Sequence, residues 1–111
     1  MSAGQLDGKV AIITGAGQGI GAAIASAYAR DGAKVVITGR TLEKLDAVAA
    51  SIREAGGEVC ALEALAGNRE DAAKTVNAAI SRWGRVDVLV NNAHSFTDYL
   101  PLDDPKMEEH V

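Results

Sequence analysis

The sequence has little cysteine, few aromatic residues and no long apolar run. Its single cysteine, Cys60, excludes an internal disulfide and fits a reducing compartment, where we expect it to be a small core residue. No segment reaches the roughly 20 apolar residues of a membrane-spanning helix. Residues 1–7 lack the charged and apolar regions of a signal peptide. We therefore predict a cytoplasmic protein with no membrane partner.

Basic residues are also in short supply. The 111-residue chain has 11 Lys and Arg against 15 Asp and Glu, a net charge of −4, which argues against nucleic acid as a partner. Its 48% hydrophobic content is enough for a packed core. The length fits one domain, which we place at residues 8–111 after a flexible lead-in over residues 1–7. No metal site is predicted.

The most informative stretch is an apolar strand followed by closely spaced glycines. Residues 10–14 are rich in β-branched side chains and apolar up to the last position, as expected for a strand that is buried on both faces of a parallel sheet. Gly15, Gly17, Gly19 and Gly21 then occupy every second position. Such a loop lets the backbone approach a ligand and directs helix N–H groups toward a phosphate.

This glycine loop fits two motif registers. The ordinary dinucleotide fingerprint would be Gly17-x-Gly19-x-x-Ala22, whereas Gly15-x-x-x-Gly19-x-Gly21 begins directly at the end of the strand. We prefer the second register, because the first glycine of such a motif makes the tight turn that follows the strand.

Strands and helices alternate along the rest of the chain. Helices are predicted over residues 19–30, 42–55 and 69–82, with Thr41 and Asn68 as N-caps of the second and third, and strands over residues 34–38, 58–62 and 86–90. Asp104-Pro105 is typical of the start of a further helix. This order predicts an α/β fold, a Rossmann-like doubly wound parallel sheet with strand order 3-2-1-4 that lacks its remaining strands.

Helical spacing predicts which side of each helix faces the sheet. The predicted inward residues are Ile20, Ala23, Ile24, Ala27 and Tyr28 in the first helix, Leu42, Leu45, Val48, Ala49 and Ile52 in the second, and Ala72, Val76, Ala79, Ile80 and Trp83 in the third.

Two loops should meet at the carboxyl ends of the first and fourth strands. One is the glycine loop, and the other is Asn91-Asn92-Ala93. The sheet order places its switch point between these strands, which is where doubly wound folds bind ligands.

The end of the second strand bears on the choice of cofactor. An NAD site usually has an acidic residue there, but this sequence has Gly39 followed by Arg40. No carboxylate would repel the additional phosphate of NADP, and a guanidinium is present to pair with it. We therefore predict NADP(H), with NAD as the alternative. Gln18 places a neutral residue, not a basic one, inside the glycine loop.

Three motifs together resemble the short-chain dehydrogenase/reductase family: Thr14-Gly15-x-x-x-Gly19-Ile20-Gly21, Gly39-Arg40 and Asp87-Val-Leu-Val-Asn91-Asn92-Ala93. The resemblance implies an oxidoreductase that moves a hydride between a nicotinamide and an alcohol or carbonyl carbon, in a dimer or tetramer. The implied cofactor-binding residues are Thr14, Gly15, Gly17, Gln18, Gly19, Ile20, Gly21, Gly39, Arg40, Asn91, Asn92 and Ala93.

The sequence departs from the family pattern at several positions. His94 replaces the glycine that follows Asn-Asn-Ala, and Leu65-Ala66 replaces an Asp-Val pair that would flank the adenine. The family also uses a catalytic Tyr with a Lys four residues later, together with a Ser and an Asn. Neither Tyr28 nor Tyr99 has such a Lys, so we expect no catalytic residue within this chain.

Three functional interpretations follow. In the first, the chain is the cofactor-binding half of an NADP(H)-dependent oxidoreductase. In the second, it is a non-catalytic nucleotide-binding module that senses NADP(H) or scaffolds a partner. In the third, it is a family member whose altered loops no longer bind cofactor.

Overall fold

The computed structural model describes residues 4–65 and 67–92, which form a parallel four-stranded sheet with three helices. In chain order the elements are β1 (Val10–Ile13), α1 (Gly19–Arg30), β2 (Lys34–Gly39), α2 (Leu42–Glu54), β3 (Val59–Glu63), α3 (Arg69–Trp83) and β4 (Val88–Val90). The strand order β3-β2-β1-β4 confirms the predicted topology. Bounds agree with the predictions within one residue except at β4. The helix predicted at Asp104-Pro105 lies outside the described residues.

The buried strands divide the core into two apolar layers. Alternate side chains of β1 point to opposite faces of the sheet. Ala11 and Ile13 join the cluster that includes Leu45 of α2, whereas Val10 and Ile12 join the cluster that includes Ala79 of α3. All four β1 residues are at most 2% exposed, as predicted for a strand covered on both faces. The sheet therefore carries α1 and α2 on one face and α3 on the other.

The fourth strand begins two residues later than predicted, at Val88 instead of Val86. Asp87 explains the shorter strand. Its backbone N–H donates to the Val10 carbonyl at 2.8 Å, and its carboxylate accepts from the Val10 N–H at 2.9 Å. Arg85 donates to the same carboxylate at 2.7 Å. The Arg85 hydrogen bond, followed by the one from Val10, lowers the pKa of Asp87 below its usual value.

The inward face predicted for α1 is partly wrong. The buried residues are Gly21 and Ala25, while Ile20 is 74% exposed. Ile24 and Tyr28 do pack against the core, but Ala23 and Ala27 are exposed. This helix is rich in glycine and alanine, so its apolar pattern alone does not determine which side faces the sheet. Packing decides it.

The other two helices follow the predictions to different degrees. In α2, the buried residues Leu45, Ala49 and Ile52 match the predicted face, although Leu42 is exposed.

In α3, Ala79 is buried and Trp83 packs on the core as predicted, but Ala72, Val76 and Ile80 are exposed. Thr75 is buried instead, and its hydroxyl donates to the Asp71 carbonyl at 2.8 Å.

Both predicted residues stand at N-cap positions, and a side-chain capping bond is confirmed for Asn68 but not for Thr41. The side chain of Asn68 accepts a hydrogen bond from the Asp71 N–H at 2.9 Å, which satisfies a free donor at the start of α3. Thr41 stands at the N-cap position of α2, but its side chain makes no capping hydrogen bond. Within the described ranges, no helix is long and apolar enough to cross a membrane.

Candidate functional site

The ends of β1 and β4 are joined by a small polar network centred on Thr14. The Thr14 N–H donates to the Val90 carbonyl at 3.0 Å. The Thr14 hydroxyl accepts from the Asn92 N–H at 2.9 Å, and its own hydrogen is shared between Asn91 Oδ1 at 3.1 Å and the Val90 carbonyl at 3.4 Å. Thr14, Asn91 and Asn92 therefore hold the two predicted loops together at the sheet edge.

Asn92 also fixes the glycine loop itself. Its side-chain amide donates to the Gly15 carbonyl at 3.2 Å. Gly15 has a φ of +63°, a left-handed conformation that favours glycine, and this turn leads the chain away from β1. The preferred motif register agrees with this geometry, because the first glycine makes the tight turn.

Gly21 lies where this loop packs against the first turn of α1. A Cβ added there would stand 2.1 Å from the Gly15 carbonyl oxygen and 2.6 Å from Asn92 Nδ2. Real Cβ atoms essentially never approach other atoms so closely. The absence of a side chain at Gly21 thus allows α1 to begin directly on the loop.

The start of α1 presents free hydrogen-bond donors. Gln18 is the N-cap residue, and its side chain makes no capping hydrogen bond. In residues 4–65 and 67–92, no protein acceptor pairs with the N–H groups of Gly19, Ile20 and Gly21. Such donors and the helix dipole favour an anion at this end. Ile20, which is largely exposed, adds an apolar side chain to the same turn.

The end of β2 lies against the glycine loop. The Ala16 N–H donates to the Thr38 carbonyl at 2.9 Å, so the loop is attached to β2 as well as to β4. Gly39 ends β2 beside Glu63 of β3. Arg40 follows it on the surface, and its guanidinium makes no ion pair or hydrogen bond within the described part of the chain. This places a cation next to the loop.

One residue near the loop is absent from the sequence prediction. Lys44, in the first turn of α2, donates from Nζ to Gln18 Oε1 at 2.7 Å. A Cβ added at Gly17 would lie 3.3 Å from the Lys44 Cβ, so this turn of α2 packs closely against the loop. No motif identifies Lys44. The one signal for it in the sequence is that it is a second cation close to Arg40, four residues further along the chain.

The remaining predicted positions contribute less to this picture. Leu65 is half exposed, and its N–H donates to the Asp71 carboxylate at 2.7 Å. Ala66, Ala93, His94 and Tyr99 lie outside the described residues.

The fold and the site at this edge of the sheet define a class of protein. A parallel sheet with a glycine turn after β1, free helix donors and a switch point between β1 and β4 is the architecture of α/β dinucleotide-binding domains. The short chain dehydrogenase family model matches residues 9–109. The chain therefore belongs to the short-chain dehydrogenase family, as its motifs predicted.

Individual relatives agree with this assignment. Over 98 residues the chain is 43% identical to sorbitol dehydrogenase of Cereibacter sphaeroides, covering 88% of this chain and 37% of that enzyme. Over 89 residues it is 42% identical to 7alpha-hydroxysteroid dehydrogenase of Escherichia coli, covering 80% of this chain and 35% of that enzyme. The chain thus spans little more than a third of the length of these curated relatives.

A solved structure adds a ligand-bound relative. A metagenomic short-chain oxidoreductase in complex with NADP superposes with a TM-score of 0.75 at 44% identity, covering 80% of this chain and 40% of that one.

Proposed function

We propose that this chain is the cofactor-binding portion of an NADP(H)-dependent short-chain oxidoreductase. The intact protein would reduce a carbonyl group or oxidise a secondary alcohol on a small molecule. We further propose that it acts in the cytoplasm, as its composition predicts, and as a homo-oligomer, as the family resemblance implies. The observation that carries the proposal is the set of unpaired N–H groups at the start of α1, next to the glycine contact at Gly21.

The residues at this edge fit a dinucleotide. The pyrophosphate would be held by the N–H groups of the first turn of α1, where the helix dipole also favours negative charge. Gly15, Gly17, Gly19 and Gly21 would let the backbone approach it closely. When bound, the nicotinamide supplies or accepts the hydride. Thr14, Asn91 and Asn92 would hold the two loops that form the site, and Ala93 would extend it by family resemblance.

The choice of NADP(H) rests on the end of β2. Gly39 has no carboxylate to repel a phosphate. The exposed guanidinium of Arg40 makes no ion pair with any residue that the structure describes, and it would pair with such a phosphate. The NADP complex of a 44%-identical relative supports a nicotinamide cofactor of this kind.

The proposal is tested by titrating the chain with NADPH and NADH, following nucleotide fluorescence. We expect saturable binding of NADPH that is tighter than that of NADH. The control variant is Gly15→Asp, which places a carboxylate at the entrance of the anion site and should abolish binding. Circular dichroism of both proteins tests whether each is folded. A folded wild-type chain that binds neither nucleotide would overturn the proposal.

A further inference from the structure

We propose that Lys44 is a second cation for the 2′-phosphate of NADP(H), and that Gln18 positions it. This inference rests on the proposed function and deepens it. Gln18 takes the loop position where a basic residue would strengthen a phosphate site. The hydrogen bond between Lys44 Nζ and Gln18 Oε1 brings a positive charge from α2 to that loop position.

The geometry directs the Lys44 side chain toward the loop. Its backbone N–H donates to the Thr41 carbonyl at 3.1 Å, which places it in the first turn of α2. The close approach of its Cβ to Gly17 leaves the side chain beside the loop. The 2.7 Å contact then holds the ammonium beside the side chain of Gln18, the N-cap residue of α1.

The ammonium also retains its charge and most of its donors. Its partner is a neutral amide, so nothing in that contact neutralises the charge. A lysine ammonium has three donors, and one of them is used by a contact within the described part of the chain. Three other cations of the described chain, Lys34, Lys74 and Arg85, each pair with a carboxylate. Lys44 and Arg40 make no such pair within residues 4–65 and 67–92.

The ligand chemistry follows from this arrangement. A phosphate monoester on the adenosine ribose carries charge that NADH lacks, whereas the pyrophosphate is common to both nucleotides. A residue that contacts only the monoester should therefore affect NADPH binding and leave NADH binding unchanged. A purely structural bond between α2 and the loop should affect the two nucleotides equally.

The experiment compares dissociation constants for NADPH and NADH in wild type, Lys44→Met and Gln18→Ala. Removing an exposed cation from a phosphate should weaken NADPH binding about three- to tenfold, with NADH binding changed less than about twofold. Gln18→Ala should show a smaller effect of the same kind. Lys44→Arg keeps the charge and should restore most of the NADPH affinity. Lys9→Met is the matched charge control and should leave both constants unchanged, because Lys9 directly precedes β1 and lies at the opposite edge of the sheet.

Salt provides a second measurement. Wild-type NADPH affinity should fall more steeply with added salt than that of Lys44→Met, because one screened pair is missing in the variant. If the wild-type chain binds NADPH but Lys44→Met leaves the ratio of the NADPH and NADH dissociation constants unchanged, the role of Lys44 is overturned. Absence of binding of either nucleotide to the folded wild-type chain would instead overturn the proposed function itself.

Discussion

Replacing Gly21 by alanine tests the geometry of the glycine loop. In an ordinary helix interior, a change from glycine to alanine stabilises by about 0.5–1 kcal/mol. Here the new Cβ would lie 2.1 Å from the Gly15 oxygen, when at least 3.0 Å is needed, so the loop must move by roughly 1 Å. That shift breaks the bond between Asn92 Nδ2 and the Gly15 carbonyl. Overpacking costs about 1–3 kcal/mol and the lost hydrogen bond about 1 kcal/mol. We expect a net destabilisation of about 2 kcal/mol.

The assay is urea unfolding followed by Trp83 fluorescence, at one fixed chain concentration because self-association changes apparent stability. Gly19→Ala is the matched control. Gly19 has a φ of +60°, but a Cβ there meets nothing within 4 Å, so its cost is only the left-handed conformation, about 1 kcal/mol. Gly21→Ala should be the less stable of the two variants. A Gly21→Ala chain as stable as wild type would refute this account of how α1 packs on the loop.

Three further predictions concern cofactor choice, acid stability and association. Gly39→Asp adds a carboxylate, with a Cβ 3.3 Å from the side chain of the buried Leu45, and should lower the NADPH-to-NADH affinity ratio about tenfold; an unchanged ratio contradicts the assignment. Asp87 has a lowered pKa, so its stabilisation is present above about pH 4 and is lost as pH falls through that lowered pKa. Asp87→Asn should therefore have a lower urea midpoint than wild type at pH 7, and the difference between the two midpoints should narrow toward pH 3. A difference that does not change with pH would argue against this role of Asp87. In the described sheet β4 pairs only with β1, and its Leu89 is 65% exposed, so residues 1–111 alone should aggregate, swap strands or pair with another chain. Sedimentation that shows a dispersed, cooperatively unfolding monomer would contradict this last expectation.

The sheet topology could be predicted because each strand has a strong local signal. Apolar β-branched runs, glycines after the first strand and helix, and an asparagine cap all act within a few residues of one another. The confirmed Asn68 cap and the order β3-β2-β1-β4 are of this kind.

Contacts between distant parts of the chain explain the errors. The rotation of α1 depends on Gly21 meeting Gly15 and Asn92, and the shortened β4 depends on Asp87 reaching Val10. The bond from Lys44 to Gln18 joins residues 26 positions apart, with no motif to indicate it.

The central claim is that the glycine loop binds the cofactor, and a nuclear magnetic resonance titration tests it most directly. Amide resonances of the ¹⁵N-labelled chain are followed as NADPH is added. We predict saturable shifts at Gly15, Gly17, Gly19 and Gly21, with smaller ones at Asn92, whose side chain contacts the loop. Shifts confined to other surfaces, or no shifts in a folded chain, would contradict the account.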